Sequence, residues 1–214
     1  MSDTPSSPRR RTTYRHGDLR NALLEAGIAL ARAGGPDAVV LREATRQAGV
    51  VPNAAYRHFA NRDDLLQAVR SYALSQVARA MEAELAGLDP AAGALRWAQD
   101  SVRAIGTGYL RFAHAEPGLF KTAFSSHEGV EGDNDPTRAG DSGMNPFQLL
   151  SMALNRLADA GGLPPERRLG AEYLAWSAVH GLALLLSEGP LHGMPEPQRM
   201  MIGQRLLDMV EKGL

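Results

Sequence analysis

The chain has 214 residues, 44% of them hydrophobic, which is enough for one substantial core or for a small domain joined to a larger one. It contains no cysteine, which excludes disulfides, thiolate metal sites and cysteine nucleophiles and fits a cytoplasmic location. The most apolar late segment, residues 178–186, is about half as long as a membrane-spanning helix, so we expect a soluble protein.

The formal net charge of −1 is unevenly distributed along the chain. Residues 1–70 contain 11 arginines and 7 acidic residues, which is a net charge of +4, and the remaining residues carry −5. A basic amino-terminal third beside an acidic remainder indicates that the first third contacts a polyanion such as nucleic acid.

The first third of the chain predicts a disordered arm followed by four helices. Residues 1–17 are rich in Ser, Pro and Arg and lack apolar periodicity, so we expect a disordered basic arm. Asp18 is a suitable N-cap for the first helix, Pro52 suits the first position of the third, and Asn61 is a suitable cap for the fourth. The helices are expected at residues 19–33, 41–48, 52–59 and 62–86.

The helical pattern continues to the end of the chain. A stretch rich in Gly, Asp, Asn and Pro at residues 126–144 is expected to be a mobile loop, and no segment shows a convincing two-residue strand periodicity. The predicted fold class is all-α, with a three-helix helix-turn-helix domain at residues 18–70 joined by the long fourth helix to a helical domain at 71–214. The further helices are expected at residues 92–115, 117–125, 146–161, 166–188 and 196–212.

Residues 41–59 have the layout of a helix-turn-helix. Gly49 lies at the bend, where a positive φ is often required. The second helix of the pair combines the small Ala54 and Ala55 with hydrogen-bonding side chains, which suits the major groove of DNA. Those side chains are Asn53, Tyr56, Arg57 and His58. An ordinary polar surface helix has a similar composition, so the residues alone leave both interpretations open.

Three motifs in this region resemble the DNA-binding signature of the TetR/AcrR family of transcriptional regulators. They are LREATRQAGV at residues 41–50, AYRHF at 55–59 and NRDDLL at 61–66. Two further stretches, YRHGDLR at 14–20 and WSAVHGLA at 176–183, resemble one subgroup with a Trp-x-x-x-His-Gly motif in its ligand-binding domain. The resemblance implies a homodimeric, sequence-specific DNA-binding regulator, commonly a repressor that a small-molecule effector releases from its operator.

The same resemblance assigns roles to the residues at matching positions. The third helix would be the recognition helix, and phosphate contacts would position it while base contacts specify the site. The residues nearest the base edges would be Asn53, Ala54 and Arg57. The implied phosphate contacts are Tyr56, His58, Arg62 and Arg42. Phe59 and Leu66 would belong to the core.

Two positions depart from the family pattern. Val40 and Val51 stand where Ser or Thr commonly caps the second and third helices, and a valine side chain can neither accept a backbone N–H bond nor contact phosphate. DNA binding would then be weaker, or arginines of the amino-terminal arm would compensate in the minor groove. An ordinary solvated basic tail is an equal alternative. The arginines concerned are Arg9, Arg10, Arg11 and Arg15.

The carboxy-terminal domain would, by the same resemblance, bind the effector and form the homodimer. Its aromatic residues are candidates for a pocket, although aromatic residues at helical spacing are more often core. The candidate pocket residues are Trp97, Tyr109, Phe112, Phe120, Phe124, Phe147, Trp176 and His180. Apolar residues of the last two helices are expected at the dimer interface, unless a monomer buries them in its own core. They are Leu174, Val179, Leu182, Leu186, Ile202, Leu206 and Met209.

No motif favours an enzyme or a cofactor. The six histidines have no metal-ligand spacing, and the Asp133-Asn134-Asp135 run lacks the glycine and the terminal glutamate of a calcium loop. The sequence has no phosphate-binding glycine loop and no nucleophile elbow. We therefore expect no catalysis, no metal and no cofactor. The remaining alternative is a helical ligand- or partner-binding module without DNA-binding activity.

Overall fold

The computed structural model describes residues 16–126 and 132–214, without the side chains of residues 16–18 and 52. This part of the chain contains ten α-helices, two short 3₁₀ turns and no strand, which confirms the all-α prediction. The helices are α1 His16–Ala38, α2 Leu41–Gln47, α3 Pro52–Ala55, α4 Arg62–Ala86, α5 Ala94–Ala115, α6 Pro117–Ala123, α7 Pro146–Asp159, α8 Pro165–Arg168, α9 Ala171–Ser187 and α10 Glu196–Gly213.

Helix α1 is interrupted by its two glycines. Gly34 and Gly35 leave helical geometry, and the φ of +71° at Gly35 favours a residue without a β-carbon. One further turn containing Pro36 follows. The interruption falls where the sequence predicts the first helix to end. The predicted N-cap was wrong, because the helix begins at His16 and Asp18 lies inside its first turn.

Helix α4 belongs to both halves of the molecule. Its 25 residues extend over about 37 Å at 1.5 Å per residue. The Asn61 side chain accepts from the Asp64 backbone N–H at 2.9 Å, and the Asp64 carboxylate accepts from the Ala60 N–H at 2.9 Å. These two bonds satisfy donors at the start of the helix and confirm the predicted cap. Helix α4 packs against α1 at Leu65 and Val69 and against α5 at Ala80 and Met81, and it also contacts α6 and α7.

The amino-terminal helices enclose a small apolar core. Leu23, Ala44, Phe59 and Leu65 are almost fully buried where α1, α2 and α3 meet the start of α4. Gly27 allows α1 to approach α4 closely, because a β-carbon there would lie 2.8 Å from the Val69 Cγ2 atom. Helix α1 is therefore held against α4 by direct packing, and α2 and α3 pack against α1.

Helix α5 is the centre of the carboxy-terminal half. It packs against α4, α6, α7, α9 and α10. Gly108 lies directly against the α4 backbone, since a β-carbon there would be 2.5 Å from the Ala80 carbonyl oxygen and 2.6 Å from the Met81 Cα. On the other side of α5, a β-carbon at Gly106 would collide with Leu207 of α10. Small residues thus set the spacing of the helices around α5.

Several further helix boundaries differ from the predicted ones, and three of these differences have a clear physical reason. The third helix stops at Ala55, because residues 56–60 form the turn that leads to the Asn61 cap. The helix predicted from residue 92 begins at Ala94, after a 3₁₀ turn that ends at Gly93 with a φ of +90°. The segment 166–188 is two helices, α8 and α9, because Gly170 between them adopts a φ of +78°. Glycine freedom explains two of the three differences.

The described part of the segment predicted as a mobile loop, residues 132–144, is fastened to its surroundings by hydrogen bonds. The Glu82 carboxylate on α4 accepts from the Asp141 N–H at 2.8 Å, from the Ser142 N–H at 3.0 Å and from the Ser142 hydroxyl. Asn145 then caps α7 with a reciprocal bond to Gln148. The segment forms part of the wall of the carboxy-terminal half.

Replacement of Gly108 by alanine should destabilise the protein, because the new β-carbon meets the α4 backbone rather than a flexible side chain. We expect a loss of about 1–3 kcal/mol in the free energy of unfolding, measured by urea denaturation. Gly213→Ala is the matched control, because nothing lies within 4 Å of a β-carbon at that position. Equal stability of the two variants would contradict the close α4–α5 contact.

Candidate DNA interface and ligand cavity

The turn between α2 and α3 has the backbone geometry of a helix-turn-helix. Gly49 adopts a φ of +68°, and a β-carbon there would meet no atom within 4 Å, so glycine serves the backbone conformation and not the packing. The Gly49 N–H donates to the Arg46 carbonyl and the Val50 N–H to the Thr45 carbonyl, which closes α2. Helix α3 begins three residues later.

The side chains predicted to contact DNA divide by exposure. Asn53, Tyr56 and Arg57 are exposed, and Ala54 and His58 are half-buried. Ala55 and Phe59 are buried and attach the helix to the core, with the Arg20 guanidinium 5.2 Å from the centroid of the Phe59 ring. Phe59 is thus core, as predicted, and Leu66 is partly buried against that core. The exposed residues form one candidate base- and phosphate-contacting surface.

Helix α2 presents two exposed arginines, Arg42 and Arg46. Arg46 lies 2.5 Å from the Glu43 carboxylate, and this hydrogen bond lowers the pKa of Glu43. Val40 precedes the helix in an extended conformation and makes no side-chain cap, as its side chain predicts. Val40 and Val51 are both exposed, so each places an apolar side chain at this surface.

The Arg62 side chain donates hydrogen bonds to the protein backbone. Its Nε donates to the Val39 carbonyl at 2.8 Å and an Nη donates to the Pro36 carbonyl at 2.7 Å. Pro36 lies in the last turn of α1, where its carbonyl also accepts from the Val39 N–H at 3.2 Å, and Val39 lies in the connection to α2. The guanidinium therefore fastens the start of α4 to that connection, and its expected phosphate contact competes with two existing hydrogen bonds. Local sequence gives no signal of this role, because the partners lie 23 and 26 residues away.

The arginines of the predicted arm, Arg9, Arg10, Arg11 and Arg15, lie outside the described residues. The motif at residues 14–20 is described only from residue 16 onward.

A cavity of about 320 Å³ lies within the carboxy-terminal half. It is bounded by α4, α5, α7, α9 and α10 and by the end of α6. Most of its wall is apolar. Five of the eight predicted pocket residues line it, namely Tyr109, Phe124, Phe147, Trp176 and His180. Aliphatic residues that the sequence gives no reason to single out complete the wall, among them Leu74, Met81, Val102, Ile105, Leu150, Val179, Leu207 and Val210.

Three predicted pocket residues do not line this cavity. Trp97 is half-buried with the Arg156 guanidinium 4.5 Å from its ring centroid. Phe112 is buried in the core. Phe120 lies behind the wall, where it packs edge-on against Tyr109 with 5.2 Å between ring centroids. Each is an ordinary core or surface-packing aromatic residue, which is the more frequent role of such residues.

Three polar side chains on the cavity wall form a hydrogen-bonded chain. The Trp176 Nε1 lies 3.1 Å from the Tyr109 hydroxyl, which lies 2.7 Å from the Nδ1 of His180. The His180 ring is surrounded by Phe120, Phe124 and Trp176 at centroid distances of 5.0 to 5.8 Å. Burial raises the pKa of the Tyr109 hydroxyl and lowers the pKa of His180. Both groups are therefore uncharged near neutral pH.

The charged residues on the cavity wall already have protein partners. Arg103 pairs with Asp208 at 2.5 Å and with Glu211 at 2.6 Å. Arg138 pairs with Asp133 at 2.8 Å. The buried Arg70 donates to the Ala123 carbonyl at 3.2 Å and to Gln67 at 3.1 Å. Arg103 and Arg138 are thus paired with carboxylates, and Arg70 donates to neutral acceptors, so each of the three guanidinium groups already makes hydrogen bonds within the fold. The sequence does not reveal these pairs, since most join distant segments.

Helices α4 and α6 connect the cavity to the amino-terminal domain. The carboxyl end of α6 supplies Ala123 and Phe124 to the cavity. Its amino end lies against α1 so closely that a β-carbon at Gly118 would collide with the Ala31 and Arg32 carbonyl oxygens. An ion pair of 3.1 Å between Arg32 and Glu116 joins the same elements. A change in the cavity can therefore reach α1 through a single short helix.

Apolar side chains remain exposed on α9 and α10. They are Tyr173, Leu174, Leu184, Leu185, Met200, Met201 and Met209. Of the residues predicted for a dimer interface, Leu174 and Met209 are exposed, whereas Val179 and Leu182 are buried within the chain. The outward apolar side chains suit an interface with a second copy.

Two other kinds of site are absent from residues 16–126 and 132–214. These residues contain no group of three or more His, Cys, Asp or Glu side chains placed to hold a metal ion. They also contain no helix with the length and apolar character needed to cross a bilayer.

The lowered pKa of His180 predicts a pH-dependent stability. The unfolded chain binds a proton near pH 6.5, whereas the folded chain keeps the buried imidazole neutral to a lower pH. The free energy of unfolding should therefore be highest above pH 6.5 and fall as the pH decreases toward the lowered pKa. Urea denaturation at pH 7.5 and 5.5 should show a larger decrease for the wild type than for His180→Gln. Parallel decreases would contradict the assignment.

The comparisons with known proteins agree with this architecture. Residues 102–210 match the family model described as tetracyclin repressor-like, C-terminal domain, and residues 23–69 match that of bacterial regulatory proteins, tetR family. Among curated proteins no relative matches the chain.

Solved structures show the same fold. A protein of unknown function from Rhodococcus sp. RHA1 is 24% identical with a TM-score of 0.74, covering 95% of this chain and 99% of that chain. A tetR family transcription regulator from Shewanella sp. PV-4 is 16% identical with a TM-score of 0.58, covering 88% and 95%. The TetR family regulator PfmR from Thermus thermophilus is 16% identical with a TM-score of 0.57, covering 91% and 96%.

These structural likenesses show the fold, and the two family models show the family. Because the matched segments 23–69 and 102–210 together cover well over half of the 214 residues, the chain belongs to the TetR family and is a DNA-binding transcriptional regulator.

Proposed function

We propose that this regulator is a homodimeric repressor that a small-molecule effector releases from its operator. The observation that carries the proposal is the cavity of about 320 Å³, whose wall includes α4 and the end of α6, the two helices that also pack against α1. An effector that favours one arrangement of these helices changes the position of the recognition element. By linkage, DNA then lowers effector affinity by the same factor.

The proposed operator contacts follow the exposure of the helix-turn-helix. Asn53, Ala54 and Arg57 face base edges, and Tyr56, His58 and Arg42 contact phosphates. The exposed Asn53, Tyr56, Arg57 and Arg42 support this arrangement. Arg62 positions the helices from within and does not need to reach DNA. The arginine arm at residues 9–15 is proposed as an additional minor-groove contact.

The proposed functional units meet within α4. Residues 18–70 form the DNA-binding domain and residues 71–214 the effector-binding and dimerisation domain. A dimer through α9 and α10 is supported by their outward apolar side chains. Two recognition helices related by a two-fold axis read two half-sites, which gives a useful specificity that one short helix lacks. The Trp-x-x-x-His-Gly motif supports a proposed membership of the corresponding subgroup. The proposed location is the cytoplasm, where a regulator meets the chromosome.

Substitution of Tyr56 by phenylalanine tests the operator surface. The exposed hydroxyl should donate to a phosphate, so its removal should weaken operator binding about three- to tenfold. The free energy of unfolding should not change. The measurement is a gel mobility shift with an operator selected from random duplexes.

Tyr72→Phe is the matched control, since Tyr72 lies half-buried on α4 away from α3. Unchanged affinity of Tyr56→Phe would remove the assigned phosphate contact. Failure of the wild type to bind any duplex at low salt would favour the alternative of a ligand-binding helical module.

A further inference from the structure

The chain of hydrogen bonds at the cavity wall has a fixed direction. An indole N–H can only donate, so the Tyr109 oxygen accepts from Trp176 Nε1. The single phenolic proton is then available for the other neighbour, the Nδ1 of His180 at 2.7 Å. That nitrogen must be the acceptor. The proton of the neutral imidazole therefore resides on Nε2.

The environment of Tyr109 and His180 stabilises the Nε2–H tautomer. Tyr109 is buried among aromatic rings, and its hydroxyl has no other acceptor among the residues that the structure describes. A proton on Nδ1 would leave the phenolic proton unpaired in an apolar environment, which is unfavourable by about 1–3 kcal/mol. Burial also disfavours the charged imidazolium. Tyr109 and Trp176 are thus positioning residues that select one tautomer of His180.

The Nε2–H group of His180 is a further hydrogen-bond donor on the cavity wall. Within the described residues no protein atom accepts from it. The solvent-inaccessible side-chain atoms without a hydrogen-bond partner do not include the Nε2 of His180. Part of the surface of this nitrogen is therefore accessible. Since His180 lines the cavity, a bound molecule can receive this hydrogen bond.

The rest of the wall restricts the chemistry of that molecule. Rings of Phe124, Phe147 and Trp176 and aliphatic side chains provide apolar contact. Arg103 and Arg138 are paired with carboxylates and Arg70 already donates to a carbonyl and an amide, so an anionic ligand would have to displace existing hydrogen bonds. A volume of about 320 Å³ is at the small end of the usual range for ligand pockets, about 300–1,000 Å³.

We propose that the effector is a small, uncharged, largely apolar molecule with one hydrogen-bond acceptor, such as a ketone, that accepts from the Nε2–H of His180. The inference rests on the proposed function, because it requires that the cavity of this regulator binds the effector. It specifies the chemical class of the effector. It also names His180 as the residue that distinguishes a ligand with a hydrogen-bond acceptor from an apolar molecule of the same shape.

A matched pair of probes tests the ligand class. 2-Acetylnaphthalene and 2-isopropenylnaphthalene have nearly the same shape, but only the ketone offers an acceptor. Calorimetric titration of the wild type should show about three- to tenfold tighter binding of the ketone. In His180→Phe, which keeps an aromatic ring, the two affinities should become equal. 2-Naphthoate should bind the wild type more weakly than the ketone.

The tautomer of His180 is a second property that can be measured, and its measurement needs no ligand. Long-range proton–nitrogen correlation spectra of the ligand-free protein should show His180 as the Nε2–H tautomer, with its signals assigned by their loss in His180→Phe. In Tyr109→Phe, which removes the donor to Nδ1, both tautomers should appear. A purely structural role of Tyr109 would leave the tautomer unchanged.

The outcomes separate the two proposals. Equal affinity of the wild type for both naphthalenes, tighter binding of naphthoate, or an Nδ1–H tautomer would overturn the donor role while the cavity remains a binding site. If neither naphthalene binds, or if Leu74→Trp, which fills the cavity from α4, leaves binding unchanged, the cavity itself is not the site and both proposals fail.

Discussion

One guanidinium group holds the DNA-binding element in place. Arg62, at the first position of α4, donates to the carbonyl of Pro36 in the last turn of α1 and to that of Val39 in the connection to α2. The Pro36 carbonyl also accepts from the Val39 N–H at 3.2 Å, and the arginine adds a hydrogen bond at each of the two carbonyls. Together with the Asn61–Asp64 cap, this contact fixes where α4 begins. The placement of α2 and α3 depends on that start.

The same helix carries the connection to the cavity. The amino half of α4 packs against α1, which in turn contacts α2 and α3, and its later turns contribute Leu74 and Met81 to the cavity wall. Helix α6 provides a second route, because its amino end touches the α1 backbone at Gly118 and its carboxyl end reaches the cavity at Phe124. Two packed elements that join both regions are the physical basis for the proposed regulation, since close packing transmits displacement.

Local patterns predict the fold well and the site only in part. The Asn61 cap, the Gly34–Gly35 interruption and the Gly49 bend depend on neighbouring residues, so sequence reveals them. The role of Arg62 and the pairing of Arg103 with Glu211 join segments 23 to 108 residues apart, which no local pattern encodes. Phe120 and Phe124 lie one turn apart, yet only Phe124 lines the cavity, because Phe120 packs behind the wall against the Tyr109 ring.

The salt dependence of operator binding by Arg62→Gln tests this account most directly. If Arg62 holds the helices through backbone carbonyls, the variant should lose stability and operator affinity while the slope of log affinity against log salt stays unchanged. Arg42→Gln is the matched control. There the slope, which is negative, should become less steep by about one, and the stability should be preserved. A slope for Arg62→Gln that is less steep by about one, with unchanged stability, would contradict the account.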